Sequence, residues 1–417
     1  MDNVIFLQDL AVVMMVAGLV ALLFRRLRQP VILGYIVAGL IVGPHMPPFL
    51  LVQNVSTIET LAQLGVVFLM FSLGLEFSFR KLRMVGLPAM ITSVFEILVM
   101  MLLGHQGAGL LGWSPAERVF LGCILAVSST AMIITSLRTS GRIREDQGQF
   151  VAGLLIMEDV FVILMMVLLP GLARTGEIPA REVLLTILRL FTFLVGLVVA
   201  GLITVPRFLR HVARHNSDEM LLITTLALCF GTALLAVRME FSVALGAFIM
   251  GAIIAEAREA PRVERLMAPV RDLFMAVFFV AIGMLIQPSF LLDHLVPILA
   301  ITLVFIAGKL AACAAGAFIT GRDLTTSLRI GANMAQLGEF AFVLAALGRQ
   351  WKVTGDFLYP VIAGVTVLNA VLRPYLIEAA DPLAGFLRRN LPDSWVSAMT
   401  VFNRRVREMV RPAAAIR

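Results

Sequence analysis

The sequence predicts an all-α polytopic membrane protein of thirteen transmembrane helices, set out as two six-span blocks of opposite orientation joined by one linking span. Three observations predict it. The 417 residues are 60% hydrophobic and 15% charged, with a mean hydropathy of +0.95. Runs of about 20 apolar residues follow one another, each long enough to cross ~30 Å of hydrocarbon as a helix. The loops between them alternate in charge, and two spans carry polar interruptions at matching places.

The spans fall at about 4–24, 30–48, 57–78, 85–104, 116–137, 148–170, 183–208, 219–237, 241–257, 266–287, 295–320, 325–348 and 356–379. The opening MDNVIFLQDL lacks the basic n-region and small-residue cleavage pattern of a signal peptide, so it reads as the start of span one. Loops after odd spans read RRLRQ, FRKLR, RTSGRIRED, RHVARHNSDE, EAREAPRVER and TGRD. Loops after even spans read HMPPFLLVQNV, HQGAGLLGWSP, GLARTGEIPARE, RME, PSFLLD and GRQWKVTGD, with few Lys or Arg. Basic loops stay in the cytoplasm, which puts the N-terminus outside and the C-terminus inside. The net charge of +7 is therefore an insertion signal and not a nucleic-acid surface.

Span five reads VFLGCILAVSSTAMIITSL, with Ser128, Ser129 and Thr130 in its middle; span twelve carries Asn333, Gln336, Gly338 and Glu339 in its middle. With span seven as the linker, each is the fifth span of its block. An odd linker inverts one block relative to the other. Broken helices at matching places in inverted halves point to a transporter's substrate site, because freed backbone is tolerated at membrane depth only against protein or water. After residue 380 the apolar and basic residues alternate at helical spacing, which reads as one or two amphipathic cytoplasmic helices on the membrane surface over 381–417.

Few ionisable residues lie well inside spans: Glu96, Glu158, Asp159, Lys309 and Glu339. Such residues are costly in hydrocarbon and mark function. Lys309, the one mid-span lysine, needs a carboxylate partner. Consecutive helical residues point ~100° apart, so Glu158 and Asp159 cannot both face it. The expected division gives Glu158 to Lys309 and turns Asp159 toward water. Asp159 is then a hard oxygen ligand for a dehydrated monovalent cation, with hydroxyls and freed carbonyls around Ser128, Ser129 and Thr130 completing the shell. The same carboxylate can hold a proton, and one site holding either gives exchange by competition. Glu339 reads as a gate, a second partner of Lys309 or a structural carboxylate. Gln336, Asn333 and Glu96 are further candidates for a gate or for support around the site. Cys123, Cys229 and Cys313 sit in apolar runs without metal-ligand spacing and read as packing residues. The five histidines lie at loops. An intramembrane aspartyl hydrolase would need a second mid-membrane aspartate, which the chain lacks.

The segments QPVILGYIVAGLIVGP, LGVVFLMFSLGLEFS, AVSSTAM, the Glu158–Asp159 pair, FSVALGAFIMGAIIAE, FFVAIGM and LGEFAFVL occur in this order. Together they resemble the monovalent cation:proton antiporter superfamily, in particular its Kef-type branch, over about residues 4–380. The resemblance implies two inverted six-helix repeats with crossed broken helices, as in sodium/proton antiporters. It implies a core domain at about 85–170 and 295–380, a dimerisation domain at about 1–78 and 219–287, a linker helix at about 183–208, and elevator-type transport by a homodimer. It implies Asp159 as the ion-binding carboxylate, with Glu158 preceding it, Ser128 to Thr130 as ligands from the unwound helix, and Lys309 as the nearby basic partner. The cargo it implies is K+ or Na+ against H+, with no cofactor, in a lipid bilayer such as a bacterial inner membrane. Typical Kef-type proteins have Gln before the Asp, and electrogenic sodium exchangers of this fold have Asp; Glu158 leaves the choice of ion open. They also carry a cytoplasmic nucleotide-binding domain, so a regulatory domain or subunit is an expected partner, although no Gly-rich strand–helix unit follows residue 380. A channel-like K+ efflux protein, without a TVGYG filter here, and a sodium-coupled symporter of an organic solute are the alternatives.

Overall fold

The computed structural model describes residues 2–27, 31–45, 52, 55–76, 85–139, 141–175, 180–215, 217–239, 242–284, 286–287, 289 and 293–390. Among these the secondary structure is helical, apart from one isolated antiparallel bridge between Ser128 and Leu337. The helices are α1 (Asp2–Arg26), α2 (Val31–Val42), α3 (Val55–Glu76), α4 (Leu87–Leu110), α5 (Pro115–Leu125), α6 (Thr130–Thr139), α7 (Asp146–Thr175), α8 (Ala180–Ala213), α9 (Asp218–Arg238), α10 (Val243–Ala255), α11 (Ala260–Met284), α12 (Leu295–Ile319), α13 (Leu324–Met334), α14 (Glu339–Gln350) and α15 (Leu358–Asn390). Eight helices of the described residues are long and apolar enough to span a bilayer, and three shorter ones are apolar. Their outward positions carry large exposed apolar side chains such as Leu19, Leu98 and Leu303. In water such a surface would be unstable; in lipid it costs nothing. This is an integral membrane protein.

Local chemistry sets the helix starts. Ser114 caps α5 in a reciprocal capping box: Glu117 N–H donates to its hydroxyl, and Ser114 N–H donates to the Glu117 carboxylate at 2.9 Å. Pro115 occupies the first helical position, where no N–H is needed. Asp323 caps α13 through Thr326 N–H, Ser217 caps α9 and Ser242 caps α10.

The element bounds carry an internal register. Pro115 and Leu324, where α5 and α13 begin, are 209 residues apart, and so are Leu125 and Met334, where they end. The same interval separates Thr130 from Glu339, where α6 and α14 begin, and Leu110 from Ile319, where α4 and α12 end.

The contacts divide the chain into two compact units. One comprises Met1–Lys81 and Ile163–Phe290, the other Leu82–Val162 and Leu291–Arg417. In the first, α3 packs on α10 and α11, and α2 on α11. The helices meet backbone to backbone at Gly39 with Gly283 and at Gly74 with Gly251, where a β-carbon would run into the facing main chain. In the second, Ala89, Ile133, Leu137, Leu154, Cys313 and Met334 join α4, α6, α7, α12 and α13 in one apolar cluster.

Residues 381–390, the start of the amphipathic tail expected over 381–417, are helical and continue α15 without a break. They are held there by the bidentate Arg329–Asp381 pair at 2.7 and 2.9 Å and by packing of Ala384, Leu383 and Leu387 on Ala314, Leu324 and Leu328. The rest of the expected tail, 391–417, and most of the basic loop after α3 lie outside the described residues.

Substituting Gly251 or Gly283 by Ala is expected to destabilise the fold by roughly 1–3 kcal/mol, the usual range for overpacking. A thermal-unfolding series in detergent, with Gly107→Ala as the uncrowded control, checks this; equal midpoints for all three would contradict it.

Candidate functional site

The two interrupted spans meet at their breaks. Helix α5 ends at Leu125 and α6 begins at Thr130; α13 ends at Met334 and α14 begins at Glu339. Between them run extended residues that pair with each other: Ser129 N–H donates to Gln336 O at 2.8 Å, and the Ser128 hydroxyl donates to Met334 O at 2.8 Å. Small residues permit the crossing. A β-carbon on Gly338 would stand 2.7 Å from both Ser128 O and Ser129 Cα. Each break frees N–H and C=O groups that hydrocarbon cannot satisfy, and polar side chains must take them up.

At the first break charged side chains do so. Lys309, on α12, has three donors and three acceptors: Glu158 Oε1 at 2.8 Å, Ala126 O at 2.9 Å, and Glu96 Oε1. Lys309 and Glu158 are fully buried and Glu96 is nearly so. Ala126 is the C-cap of α5, so the ammonium sits at the negative end of a helix dipole. Glu158 also accepts from Ser128 N–H at 2.6 Å and lies 3.2 Å from the Ser128 hydroxyl. Ser128 has a single hydroxyl proton, so it serves Met334 O or Glu158 but not both at once.

Its neighbour on α7 points elsewhere. Asp159 is partly exposed, and the Thr130 hydroxyl stands 3.2 Å from Oδ1 and 3.5 Å from Oδ2. Thr130 opens α6, where the positive end of a half-helix favours a carboxylate. Among the described residues no group of three or more His, Cys, Asp and Glu side chains is arranged to hold a metal ion. Any cation on Asp159 would complete its shell with hydroxyl, carbonyl or water oxygens.

Glu339 is the first residue of α14, again at a positive helix end, and accepts from the Ser129 hydroxyl at 3.1 Å. The two carboxylates on Lys309 are Glu158 and Glu96. Asn333 donates back to Arg329 O within α13 at 2.7 Å. Gln336 donates to Leu337 O at 3.2 Å. Near the breaks, the buried acceptor oxygens Glu96 Oε2 and Gln336 Oε1 have no protein donor among the described residues.

Sequence reasoning passed over Asn369. It lies on α15, fully buried, and serves two backbone groups of the second break: Leu337 N–H donates to its Oδ1 at 2.8 Å and its Nδ2 donates to Ala335 O at 2.9 Å. A search for mid-span charges cannot find a neutral amide. The signal available was one amide in VIAGVTVLNAVL, where the other polar side chain is Thr366.

Residues 11–378 match the family model described as sodium/hydrogen exchanger, transmembrane. The chain belongs to this family. It is a family of transporters, and the similarity to the monovalent cation:proton antiporter superfamily and its Kef-type branch holds across the chain. K(+) efflux antiporter 5 of Arabidopsis thaliana is 34% identical over 378 residues, which cover 89% of this chain and 66% of that protein. The chain thus spans about two thirds of that relative's length. The Na(+)/H(+)-K(+) antiporter GerN of Bacillus cereus is 25% identical over 374 residues, covering 89% of this chain and 95% of GerN. The sodium proton antiporter MjNhaP1 of Methanocaldococcus jannaschii shares the fold, with a TM-score of 0.68 at 18% identity over 92% of this chain and 99% of that one.

Removing Lys309 should leave two buried carboxylates unpaired, a loss of about 3–5 kcal/mol. Lys309→Met is therefore expected to unfold far below the wild type, and adding Glu158→Gln should restore part of the difference. A thermal double-mutant cycle measures the coupling, expected at roughly 1–3 kcal/mol for residues in contact. Strict additivity would count against the pair.

Proposed function

We propose that the chain is a monovalent cation/proton antiporter in which a cation and protons compete for Asp159. The observation that carries this reading is the different treatment of adjacent carboxylates. Glu158 is fully buried and bound by Lys309 and Ser128, whereas Asp159 is partly exposed and bears a threonine hydroxyl at a half-helix N-terminus. A carboxylate with some access to solvent, at membrane depth and at a helix break, has the chemistry of an ion-coupling site. Either cargo neutralises it, and neither binds while the other is present, so exchange needs no further coupling device.

The names of the relatives favour K+ or Na+ as the cation, with K+ supported by K(+) efflux antiporter 5 and both by GerN. The finer architecture is part of the proposal: thirteen spans, two inverted repeats, N-terminus outside and C-terminus in the cytoplasm of a bacterial inner membrane. The 209-residue register between α4–α6 and α12–α14 supports the repeats. Asp159, Glu158, Lys309 and both breaks belong to a single compact unit, Leu82–Val162 with Leu291–Arg417. This supports a transport core that carries the site as a body in an elevator-type cycle. The other unit, with α8 as linker, would then form the dimerisation domain of a homodimer. A cytoplasmic regulatory domain or subunit would act on this body.

Asp159→Asn keeps the volume and loses the charge. It is expected to abolish K+/H+ and Na+/H+ exchange in proteoliposomes while the thermal midpoint stays close to that of the wild type. Exchange at the wild-type rate by this variant would remove the assignment. Cation flux through the wild type without counter-movement of protons would replace the antiporter by a channel.

A further inference from the structure

The two breaks present the same backbone groups to be satisfied, at equivalent places. Ala126 and Ala335 are 209 residues apart, as are Ser128 and Leu337, and the latter two face each other in the bridge. At the first break Ala126 O takes a proton from Lys309 at 2.9 Å and Ser128 N–H gives one to Glu158 at 2.6 Å. At the second, Ala335 O and Leu337 N–H are served by the amide of Asn369 at 2.9 and 2.8 Å. One neutral side chain thus does the work that an ion pair from two helices does at the other break. A primary amide carries a donor and an acceptor in a fixed fork and keeps both at any pH, and its two backbone partners leave only one orientation.

We propose that Asn369 is a positioning residue for transport: the neutral counterpart of the Glu158–Lys309 pair, which keeps the second break in one geometry at every pH while the first is held by charged side chains. Asp159, the exchanging carboxylate of the proposed cycle, meets the chain at the first break, through Thr130. The charged groups on elements packed against α15 are Lys309 on α12, Arg329 on α13 with Asp323 at its N-cap, and Glu339 and Arg349 on α14; Arg373, Glu378, Asp381, Arg388 and Arg389 follow on α15 itself. The hydrogen bonds of Asn369 go to backbone atoms and to none of these. The inference rests on the exchanger reading, and its test separates the two.

The full chain carrying Asn369→Asp or Asn369→Ala is reconstituted in proteoliposomes, and K+/H+ and Na+/H+ exchange is followed from pH 6 to pH 9. A protonated aspartate reproduces the amide's pattern, donating to Ala335 O and accepting from Leu337 N–H. An ionised one sets a second acceptor against that carbonyl. Asn369→Asp should therefore approach wild-type turnover at the acid end and fall roughly tenfold below it as the carboxyl ionises, the loss of one buried hydrogen bond. The KM for the cation should stay within about twofold, since Asn369 does not touch the cargo. Asn369→Ala should be slow at every pH. An equal loss by Asn369→Asp across the whole range would mark a merely structural residue, and wild-type behaviour of both variants would mark an idle one; either overturns the proposal. Should the wild type exchange neither cation for protons, the exchanger reading fails and thermal unfolding carries the test. An Asn369→Asp midpoint that drops further below wild type at pH 9 than at pH 6 supports the neutral clamp, and a pH-independent gap overturns it.

Discussion

The structure depends on one constraint: backbone amides freed by two helix breaks inside hydrocarbon must find partners. A few kcal/mol is at stake for each group left bare. The residues between the half-helices, 126–129 and 335–338, meet it partly through bonds across the crossing, Ser129 N–H to Gln336 O and the Ser128 hydroxyl to Met334 O at the end of α13. The remainder falls to side chains from helices packed alongside. Lys309 comes from α12, Glu158 from α7 and Asn369 from α15, and each is buried because the groups it serves are buried. Polar residues deep in the membrane are here consequences of broken backbone as much as of transported charge.

Charge at the first break then follows from helix electrostatics. The C-terminal end of α5 is negative and receives an ammonium; the N-terminal ends of α6 and α14 are positive and receive Asp159 and Glu339. Lys309 is counterbalanced by two carboxylates, Glu158 and Glu96. Glu158 is thereby committed on one side to the lysine and on the other to the Ser128 amide. Asp159, about 100° further round α7, is directed away from that arrangement. The helical repeat alone separates a fully buried carboxylate from a partly exposed one.

Much of this was legible in the sequence. The polar interruptions in AVSSTAM and in the Asn333–Glu339 stretch marked the places where helices stop, because Ser, Thr, Asn and Gly favour non-helical backbone where hydrocarbon otherwise favours helix. The pairing of Glu158 with Lys309 followed from counting mid-span charges. Two partners did not follow. Glu96 on Lys309 depends on which face of α4 meets α12, and close packing at Gly308 and Gly316 against Met100 and Thr92 decides that. Asn369 carries no charge and so gave no electrostatic signal. The continuation of α15 past residue 380, across Pro382, was hidden by the change there from an apolar run to amphipathic spacing. The Arg329–Asp381 pair and the Ala384 contact with α12 and α13 outweigh the local penalty of the proline.

The presence of Glu rather than Gln before Asp159 acquires a physical meaning in this arrangement. With Gln there, Ser128 N–H would still find an acceptor and Lys309 would still have Glu96, so backbone satisfaction and charge pairing would both survive. What Glu158 adds is a second negative charge beside a single ammonium, in a buried place where charges are weakly screened. The trio of Glu96, Glu158 and Lys309 thus holds one more carboxylate than ammonium. Glu158 offsets that by accepting from Ser128 N–H, and Ser128 lies two residues before the threonine that touches Asp159. The backbone of the first break therefore joins the buried carboxylate to its partly exposed neighbour.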